Sequence, residues 1–344
     1  MAGQGGEIIL ESCRPRSPGS LTWAPLPDER WWHPGYVRAV HPVLELIRAR
    51  STGATDDHRF ALAIEGGGSR GAYSGGMAAA IEDLGLSGCF DAVYGASAGA
   101  LNGAWLLAGQ AANLGVRGWS DPEIMRRVTN PWRALRRGPV VDTKHLVHAV
   151  YEAAPMDFAA ILANRTTFHP LATDTATGAS VDLRPFVRDQ PTLQLALRAS
   201  TGLPLLAGGP VELGGRRWID AGLAEPIPYR TAVADGATHV LVLRTRRADE
   251  VAARPSRFES TVVSRYLRRV APGALTAWAA RHTLSAADHE HLANHPSILQ
   301  IHPPENAPPV SRLARDTALL ARAVRLGWDA ALDALSTTRP STVN

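Results

Sequence analysis

Residues 60–108 contain two short apolar runs, each followed by a glycine-containing turn and then by a run of small and apolar residues. This pattern predicts a strand at Phe60–Ile64, a helix at 72–84, a second strand at 90–94 and a second helix at 100–108. Two strands joined by a helix form a right-handed parallel unit, so both turns are expected at the same edge of one sheet. Open α/β sheets place their sites at that edge, so this stretch limits both the fold class and the position of the site.

The second turn covers residues 95–99 and has the G-x-S-x-G pattern of a nucleophile elbow. Small residues at Gly95 and Gly99 let such a turn close tightly. Ser97 then presents its hydroxyl at a helix N-terminus, whose positive end favours developing negative charge. The pattern alone is only moderately specific in a chain rich in alanine and glycine, but the strand before it and the helix after it favour a nucleophile.

The first turn fits two templates. Gly66, Gly68 and Gly71 have the G-x-G-x-x-G spacing of a dinucleotide-binding loop, which predicts an oxidoreductase as the alternative function. The same loop could instead provide backbone N–H groups to an oxyanion hole. A dinucleotide site needs an acidic residue at the end of the second strand, whereas Asp91 lies near its start and the strand leads into Ser97. The oxyanion interpretation is therefore favoured.

A carboxylate follows another predicted strand far downstream, where Trp218 and Ile219 lead into Asp220. If that strand ends at the same edge as the elbow, Asp220 is expected beside Ser97. In isolation, a turn aspartate that binds its own backbone is the simpler explanation. The elbow and the glycine loop upstream favour a general base instead.

Together these motifs resemble those of the patatin-like phospholipase family, which carries G-G-G-x-R/K-G, then G-x-S-x-G, then D-G/A-G. The chain has Gly66-Gly67-Gly68-Ser69-Arg70-Gly71, Gly95-Ala96-Ser97-Ala98-Gly99 and Asp220-Ala221-Gly222 in that order. Residues 199–204 also resemble the family's A-S-x-x-x-P helix end, and 226–228 its P-I-P. Ala221 replaces the more usual glycine, which the family pattern tolerates.

The resemblance implies an α/β fold, a three-layer sandwich around a central, mostly parallel sheet, with an N-terminal extension and C-terminal helices. It also implies a catalytic dyad in which Ser97 is the nucleophile and Asp220 the proton acceptor, with Gly67 and Gly68 forming the oxyanion hole. The implied activity is hydrolysis of acyl esters of phospholipids or lysophospholipids through an acyl-enzyme, and transacylation shares that intermediate. No metal and no cofactor are expected, because serine provides the nucleophile.

Two points stay open at this stage. Arg70 either adds positive charge near the glycine loop or pairs structurally. A histidine base is not excluded by the sequence, since the histidines downstream of the elbow include His239, His282, His289, His291, His295 and His302.

Composition and charge limit the size of the core and the classes of molecule that the chain is expected to bind. Of its 344 residues, 45% are hydrophobic, which is enough for one large core. The net charge is +4, and its basic residues are arginines apart from Lys144. We expect most of these arginines to form a solvated surface with local ion pairs, while the modest positive excess could also favour anionic lipid head groups. No nucleic-acid motif accompanies the charge, so nucleic acid is not expected as a partner. Cys13 and Cys89 form no disulfide or metal pattern.

The rest of the chain predicts three parts: an N-terminal extension at 1–58, a catalytic core at 59–245 and a helical C-terminal part at 246–344. No signal peptide or membrane-spanning run is evident, so we expect a cytoplasmic protein, with any membrane contact peripheral. Residues 125–137 combine arginines with Trp132. They are either a solvated face or a cap over the acyl site that contacts phosphate. Trp23, Trp31 and Trp32 are a weaker candidate for lipid contact.

Overall fold

The computed structural model describes residues 40–136, 138–250 and 256–336, so Cys13 and the three N-terminal tryptophans lie outside the described residues. Eight strands form one sheet. Their bounds are β1 Phe60–Ile64, β2 Ala92–Ala96, β3 Thr167–Asp174, β4 Ser180–Asp182, β5 Val211–Leu213, β6 Arg216–Ile219, β7 His239–Leu243 and β8 Ile298–Ile301.

Thirteen α-helical segments of the described residues surround the sheet. They are α1 Pro42–Ser51, α2 Gly71–Asp83, α3 Ala98–Leu107, α4 Arg117–Ser120, α5 Pro122–Val128, α6 Thr143–His145, α7 Tyr151–Ala153, α8 Phe158–Ala163, α9 Gln190–Ser200, α10 Tyr229–Ala234, α11 Arg257–Val270, α12 Ala274–Asn294 and α13 Thr317–Ser336.

The strand order is β5-β6-β3-β2-β1-β7-β8, with β4 pairing on β3. The five strands β3, β2, β1, β7 and β8 are parallel to one another, while β4 and β6 are antiparallel to β3. The predicted mostly parallel α/β sheet is therefore confirmed. The carboxyl ends of the parallel strands share one edge, which is called the site edge below.

Both faces of the central strands are covered, which is why β1 is buried at all five positions. Leu62 and Ile64 belong to a buried cluster with Met77 and Ile81 of α2. The alternate residues of β1 belong to a second cluster with Tyr229 of α10 and residues of α12. Because side chains alternate across a strand, this gives the three layers of helix, sheet and helix that the sequence predicted.

Strand β1 has the predicted bounds, but β2 lies two residues later than predicted. Gly95 and Ala96 still pair with Pro170 and Leu171 of β3, so the strand continues up to the residue before Ser97. The Asp91 carboxylate accepts the N–H of Phe60 instead of lying within the strand. As a result, the turn is confined to a single residue, and α3 begins at once after it.

The direction of β6 differs from the geometry expected for Asp220. Because β6 is antiparallel to β3, its carboxyl end points away from the site edge rather than toward it. However, β3 extends past its last pair with β2 at Leu171, and the register of Ile219 with Thr173 places β6 on that extension. Asp220 therefore reaches the level of Ser97 from the opposite direction.

Residues 111–157 form an irregular segment that follows α3. Short helices alternate with two π-helical turns at Ala111–Gly115 and Leu146–Val150. Asp121 begins α5 by accepting the N–H groups of Glu123 and Ile124 through its side chain, with proline at the first helical position. This segment lines the cavity beside Ser97 that is described below.

The segment from Ile301 to α13 packs against α2 and the loop before it. The Tyr73 hydroxyl donates to the carbonyl of Pro308 (2.6 Å), and the Ser69 hydroxyl donates to that of Ala314 (2.9 Å). Ala72 and Tyr73 share a buried cluster with Val310 and with Leu320 of α13. None of the described helices combines the length and apolar character needed to cross a bilayer.

Candidate active site

Ser97 occupies the turn between β2 and α3 with φ 53° and ψ −122°, a conformation that non-glycine residues rarely adopt. Such strained residues typically cost about 1–3 kcal/mol and persist where the surroundings hold them in place. Here the Ser97 N–H donates to the buried Oγ of Ser200, at the last position of α9 (2.9 Å). The N–H of Ala100 donates to the carbonyl of Ser97 and closes the turn (2.9 Å).

Close backbone contact explains the glycines of the elbow. A Cβ atom added to Gly99 would lie 2.1 Å from the carbonyl oxygen of Ile64, and one added to Gly95 would lie 2.4 Å from Cα of Ala100. Neither neighbour is a flexible side chain that could move. The two positions therefore require glycine so that α3 can begin directly above β1.

Asp220 lies next to Ser97. The Ser97 hydroxyl donates to Oδ2 of Asp220 at 2.7 Å, and both residues are buried. The other carboxylate oxygen, Oδ1, accepts the N–H of Gly222 at 2.8 Å within the turn Ala221–Leu223. The backbone of Asp220 is held as well, since its N–H donates to Gly202 and its carbonyl accepts from Thr173. The carboxylate is thus fixed at both oxygens.

Burial raises the pKa of Asp220 from 3.8 to about 6. The hydrogen bonds from Ser97 and Gly222 and the positive charge of Arg312 oppose this rise without cancelling it. A carboxylate with a pKa near the working pH is a far better proton acceptor than an ordinary aspartate. The environment of Asp220 therefore provides the change in basicity that a Ser–Asp pair needs.

The glycine loop faces this pair, and its amides divide into two sets. The N–H of Gly66 donates to Pro226, and that of Ser69 donates to Arg312. Within the described part of the chain, the N–H groups of Gly67 and Gly68 have no acceptor. Amides left free beside a buried hydroxyl are the groups from which an oxyanion hole is built.

Gly68 lines the cavity beside Ser97. Gly68 has φ +58°, and a Cβ atom there would lie 2.4 Å from the carbonyl oxygen of Arg312. Both the backbone conformation and the space therefore require glycine. Gly71, the first residue of α2, lies close to Ala98 at the start of α3, so the two helices begin side by side.

Arg70 extends from the same loop. Its Nε is buried and has no hydrogen-bond partner among residues 40–136, 138–250 and 256–336. Burial, together with the charges of Arg246 and Arg312, lowers the pKa of Arg70 to about 10. The nearby buried carboxylate of Glu65 pairs with Arg244 (2.9 Å) and Arg246 (3.4 Å). The geometry therefore favours the first of the two interpretations of Arg70, a positive charge near the loop.

The patatin-like phospholipase family model matches residues 62–233, half of the chain. The chain belongs to the patatin-like phospholipase family. Members of this family act on lipids as acyl hydrolases, so the resemblance of the motifs is confirmed at the level of the family.

Two further proteins are similar to this patatin-like chain. An uncharacterized protein of Escherichia coli K12, YjjU, is 30% identical over 197 residues, which are 54% of this chain and 52% of YjjU. The chain thus spans about half the length of that relative. The crystal structure of VipD from Legionella pneumophila is 13% identical and aligns with 82% of this chain and 67% of VipD, with a TM-score of 0.45.

An apolar cavity of about 80 Å³ opens beside Ser97 in this patatin-like domain. The irregular segment 111–157 contributes much of its wall through Ile124, Met125, Val128 and Tyr151. A larger hollow of about 530 Å³ shares Ile124 and Tyr151 with it. Apolar side chains next to a buried hydroxyl suit an acyl chain rather than a polar substituent.

The alternatives raised by the sequence have different positions in the structure. Asp91 accepts from Phe60 and pairs with Arg50 at the start of β1, so it lies at the edge opposite the glycine loop, where no ribose of a loop-bound dinucleotide could reach it. The single bond that the Ser97 hydroxyl donates goes to Asp220 and not to a histidine. His302, for example, is bonded to the carbonyl of Arg246 (3.0 Å).

Two residues, Ser200 and Arg312, make contacts in the site that were not predicted from the sequence. Ser200 appeared only as part of a helix-end motif, yet it receives the N–H of Ser97. Arg312 lies in a segment without any motif, yet its carbonyl accepts the N–H of Ser69, it lines the cavity, and its positive charge lowers the pKa of Asp220. The motif could have drawn attention to Ser200, but no sequence signal marks Arg312.

Proposed function

We propose that this protein is a serine acyl hydrolase that cleaves acyl esters of phospholipids or lysophospholipids with a Ser97–Asp220 dyad. The observation that carries the proposal is the 2.7 Å hydrogen bond from the Ser97 hydroxyl to the buried Asp220 carboxylate. The unengaged amides of Gly67 and Gly68 and the apolar cavity support it. The family supplies the lipid character of the substrate.

In the first half of the reaction, Oγ of Ser97 attacks the ester carbonyl carbon while Asp220 takes the hydroxyl proton. The carbonyl oxygen becomes an oxyanion, which accepts hydrogen bonds from the amides of Gly67 and Gly68. The N-terminus of α3 and the charge of Arg70 add positive potential there. As the tetrahedral intermediate collapses, Asp220 returns the proton to the leaving alcohol, and the acyl group stays on Ser97.

In the second half, water attacks the acyl-enzyme, and Asp220 again accepts a proton. Collapse of this second intermediate breaks the bond to Oγ, releases the fatty acid and returns the proton to Ser97. If an alcohol replaces water, the same steps transfer the acyl group, so transacylation needs no further residue. Asp220 is fit for both steps because burial raises its pKa to about 6.

Labelling with a fluorophosphonate and release of fatty acid from a phospholipid and lysophospholipid panel test the proposal. We expect wild type to be labelled and active, Ser97→Ala to be neither, and Asp220→Asn to lose hydrolysis. Ser180→Ala is the matched serine control, because the Ser180 Oγ is buried outside the site and has no hydrogen-bond partner in the described regions. Asp57→Asn, on an exposed side chain, is the matched carboxylate control.

Two results would contradict the proposal. Fatty-acid release by Ser97→Ala at the wild-type rate would exclude Ser97 as the nucleophile. Full hydrolysis by Asp220→Asn, with loss of hydrolysis in a histidine variant such as His302→Gln, would replace the dyad with a histidine base.

A further inference from the structure

The cavity wall continues into a surface loop. Thr129 and Val141, which both line the cavity, pair with each other as an antiparallel bridge. The N–H of Asn130 donates to the carbonyl of Val140 (2.7 Å), and the N–H of Asp142 donates to that of Val128 (2.8 Å). These bonds hold the two ends of the loop beside each other. The loop between these residues is therefore anchored to the wall of the cavity itself.

The outer part of this loop is a 3-10 turn, Pro131–Arg136, which we call the docking turn. It exposes two large apolar side chains, Trp132 at 73% and Leu135 at 79%. Residues three apart in a 3-10 turn lie on the same side, so the indole and the isobutyl group project together. Other tryptophans of the chain, such as Trp105 and Trp218, are buried. The exposure of Trp132 beside a second exposed apolar side chain therefore needs an explanation.

Arginines surround the docking turn. Arg133 holds the loop, donating to the carbonyl of Arg127 (2.6 Å), and Arg127 pairs with Glu123 (2.5 Å). Arg126 and Arg136 are exposed, and no carboxylate of the described residues lies within 4.0 Å of either. The surface around the two apolar side chains therefore carries uncompensated positive charge.

From this arrangement we propose that the docking turn binds the surface of an anionic lipid bilayer, with Trp132 and Leu135 entering the interface and Arg126 and Arg136 contacting the head groups. Tryptophan is enriched at membrane interfaces, and stable peripheral binding takes both an apolar and a basic contribution. The lipid partner rests on the proposed function, since it brings acyl esters to the mouth of the Ser97 cavity. Docking itself needs no catalysis.

Sedimentation with vesicles tests docking without consuming the lipid, if every variant is made in full-length Ser97→Ala. One set of vesicles contains phosphatidylcholine alone, and the other contains phosphatidylcholine mixed with phosphatidylglycerol. We expect tighter binding to the anionic vesicles, weakened by added salt because exposed charges are screened. Replacing both Trp132 and Leu135 with serine should lower the partition coefficient about tenfold or more. Arg126→Gln and Arg136→Gln should each lower it about fivefold on anionic vesicles.

The chain offers matched controls at the opposite edge of the sheet. Leu162 is 42% exposed on α8, and Arg165 is exposed between α8 and the start of β3. Leu162→Ser and Arg165→Gln make the same chemical changes away from the cavity, so vesicle binding should not change. Thermal melting checks that each variant is folded.

Equal binding by the serine double variant and its parent would overturn the proposal, as would a parent that does not bind anionic vesicles. A different result would be a parent that does not bind vesicles and is a dimer in analytical ultracentrifugation, with a double variant that is a monomer. The docking turn would then be an interface between copies of the chain. Hydrolysis of a water-soluble ester by the wild-type protein separates the two proposals. Vesicle binding without such hydrolysis refutes the dyad and not the docking.

Discussion

Replacing Asp220 with asparagine is expected to make the protein more stable at neutral pH while it removes the activity. In the folded protein, burial raises the pKa of Asp220 from 3.8 to about 6, so keeping the group ionised opposes folding. A shift of about two pKa units corresponds to about 3 kcal/mol of unfolding free energy once the pH exceeds both values. Asparagine is neutral, so its variant does not incur this cost.

The hydrogen bonds of the site can accommodate the change. The oxygen of the introduced amide can accept the N–H of Gly222, as Oδ1 of Asp220 does (2.8 Å). Its NH2 group can donate to the Ser97 hydroxyl, which then acts as acceptor instead of donor. Each of these groups keeps at least one hydrogen-bond partner, but the Ser97 O–H loses its acceptor, so a part of the electrostatic gain is expected to be offset.

Urea denaturation of wild type and Asp220→Asn across a series of pH values measures the effect. Between about pH 4 and pH 6 the folded wild type binds more protons than the unfolded chain, so its stability falls as the pH rises through that window. The stability difference between the two proteins should be smallest below about pH 4 and largest above about pH 6. Asp57→Asn, an exposed control, should show no such pH-dependent difference. A difference that is the same at every pH would refute the assigned environment of Asp220.

The remaining predictions concern residues around the dyad. Hydrolysis of a soluble ester should fall about tenfold for each pH unit below about 6, because protonated Asp220 cannot accept the Ser97 proton. Arg312→Gln removes a charge that lowers the pKa of Asp220. The acid limb of the pH profile, which is the fall of kcat/KM below about pH 6, should therefore move to higher pH, and by more at low salt. Ser200→Ala leaves the N–H of Ser97 buried without its acceptor, which should destabilise the fold by about 1–3 kcal/mol in urea denaturation and lower kcat.

Two of these outcomes have clear opposites. An acid limb that stays in place in Arg312→Gln would show that the exposed guanidinium does not act on Asp220. Ser200→Ala with wild-type stability and kcat would show that the strained turn at Ser97 holds its conformation without that hydrogen bond.

The local parts of the fold could be predicted because their sequence patterns are local. Phe60–Ile64 is a run of five apolar residues, and in His239–Leu243 four apolar residues follow a histidine. The structure has a strand with each of these bounds, and the apolar residues of both are buried. The elbow and the glycine loop follow from glycine spacing, because close backbone contacts leave little choice of residue. The mostly parallel sheet follows from the strand and helix alternation.

The features that the sequence did not predict depend on contacts between residues that are far apart along the chain. The four residues of β6 carry no signal for the direction in which they pair, so the route of Asp220 to Ser97 was predicted with the wrong geometry. The π-helical turns in the segment 111–157 depend on packing rather than on propensity. Arg312 reaches the glycine loop through its backbone carbonyl, which any residue type could provide, so no residue pattern marks it.

The contacts of the glycine loop have a consequence for how the protein is made. A ribosome synthesises this loop and Ser97 early, but Arg312 and Ala314, whose carbonyls hold Ser69, emerge much later. A nascent chain therefore contains Ser97 before the contacts that fix the glycine loop can form. On the proposed function, hydrolysis is therefore expected only after Arg312 and Ala314 have folded onto the glycine loop.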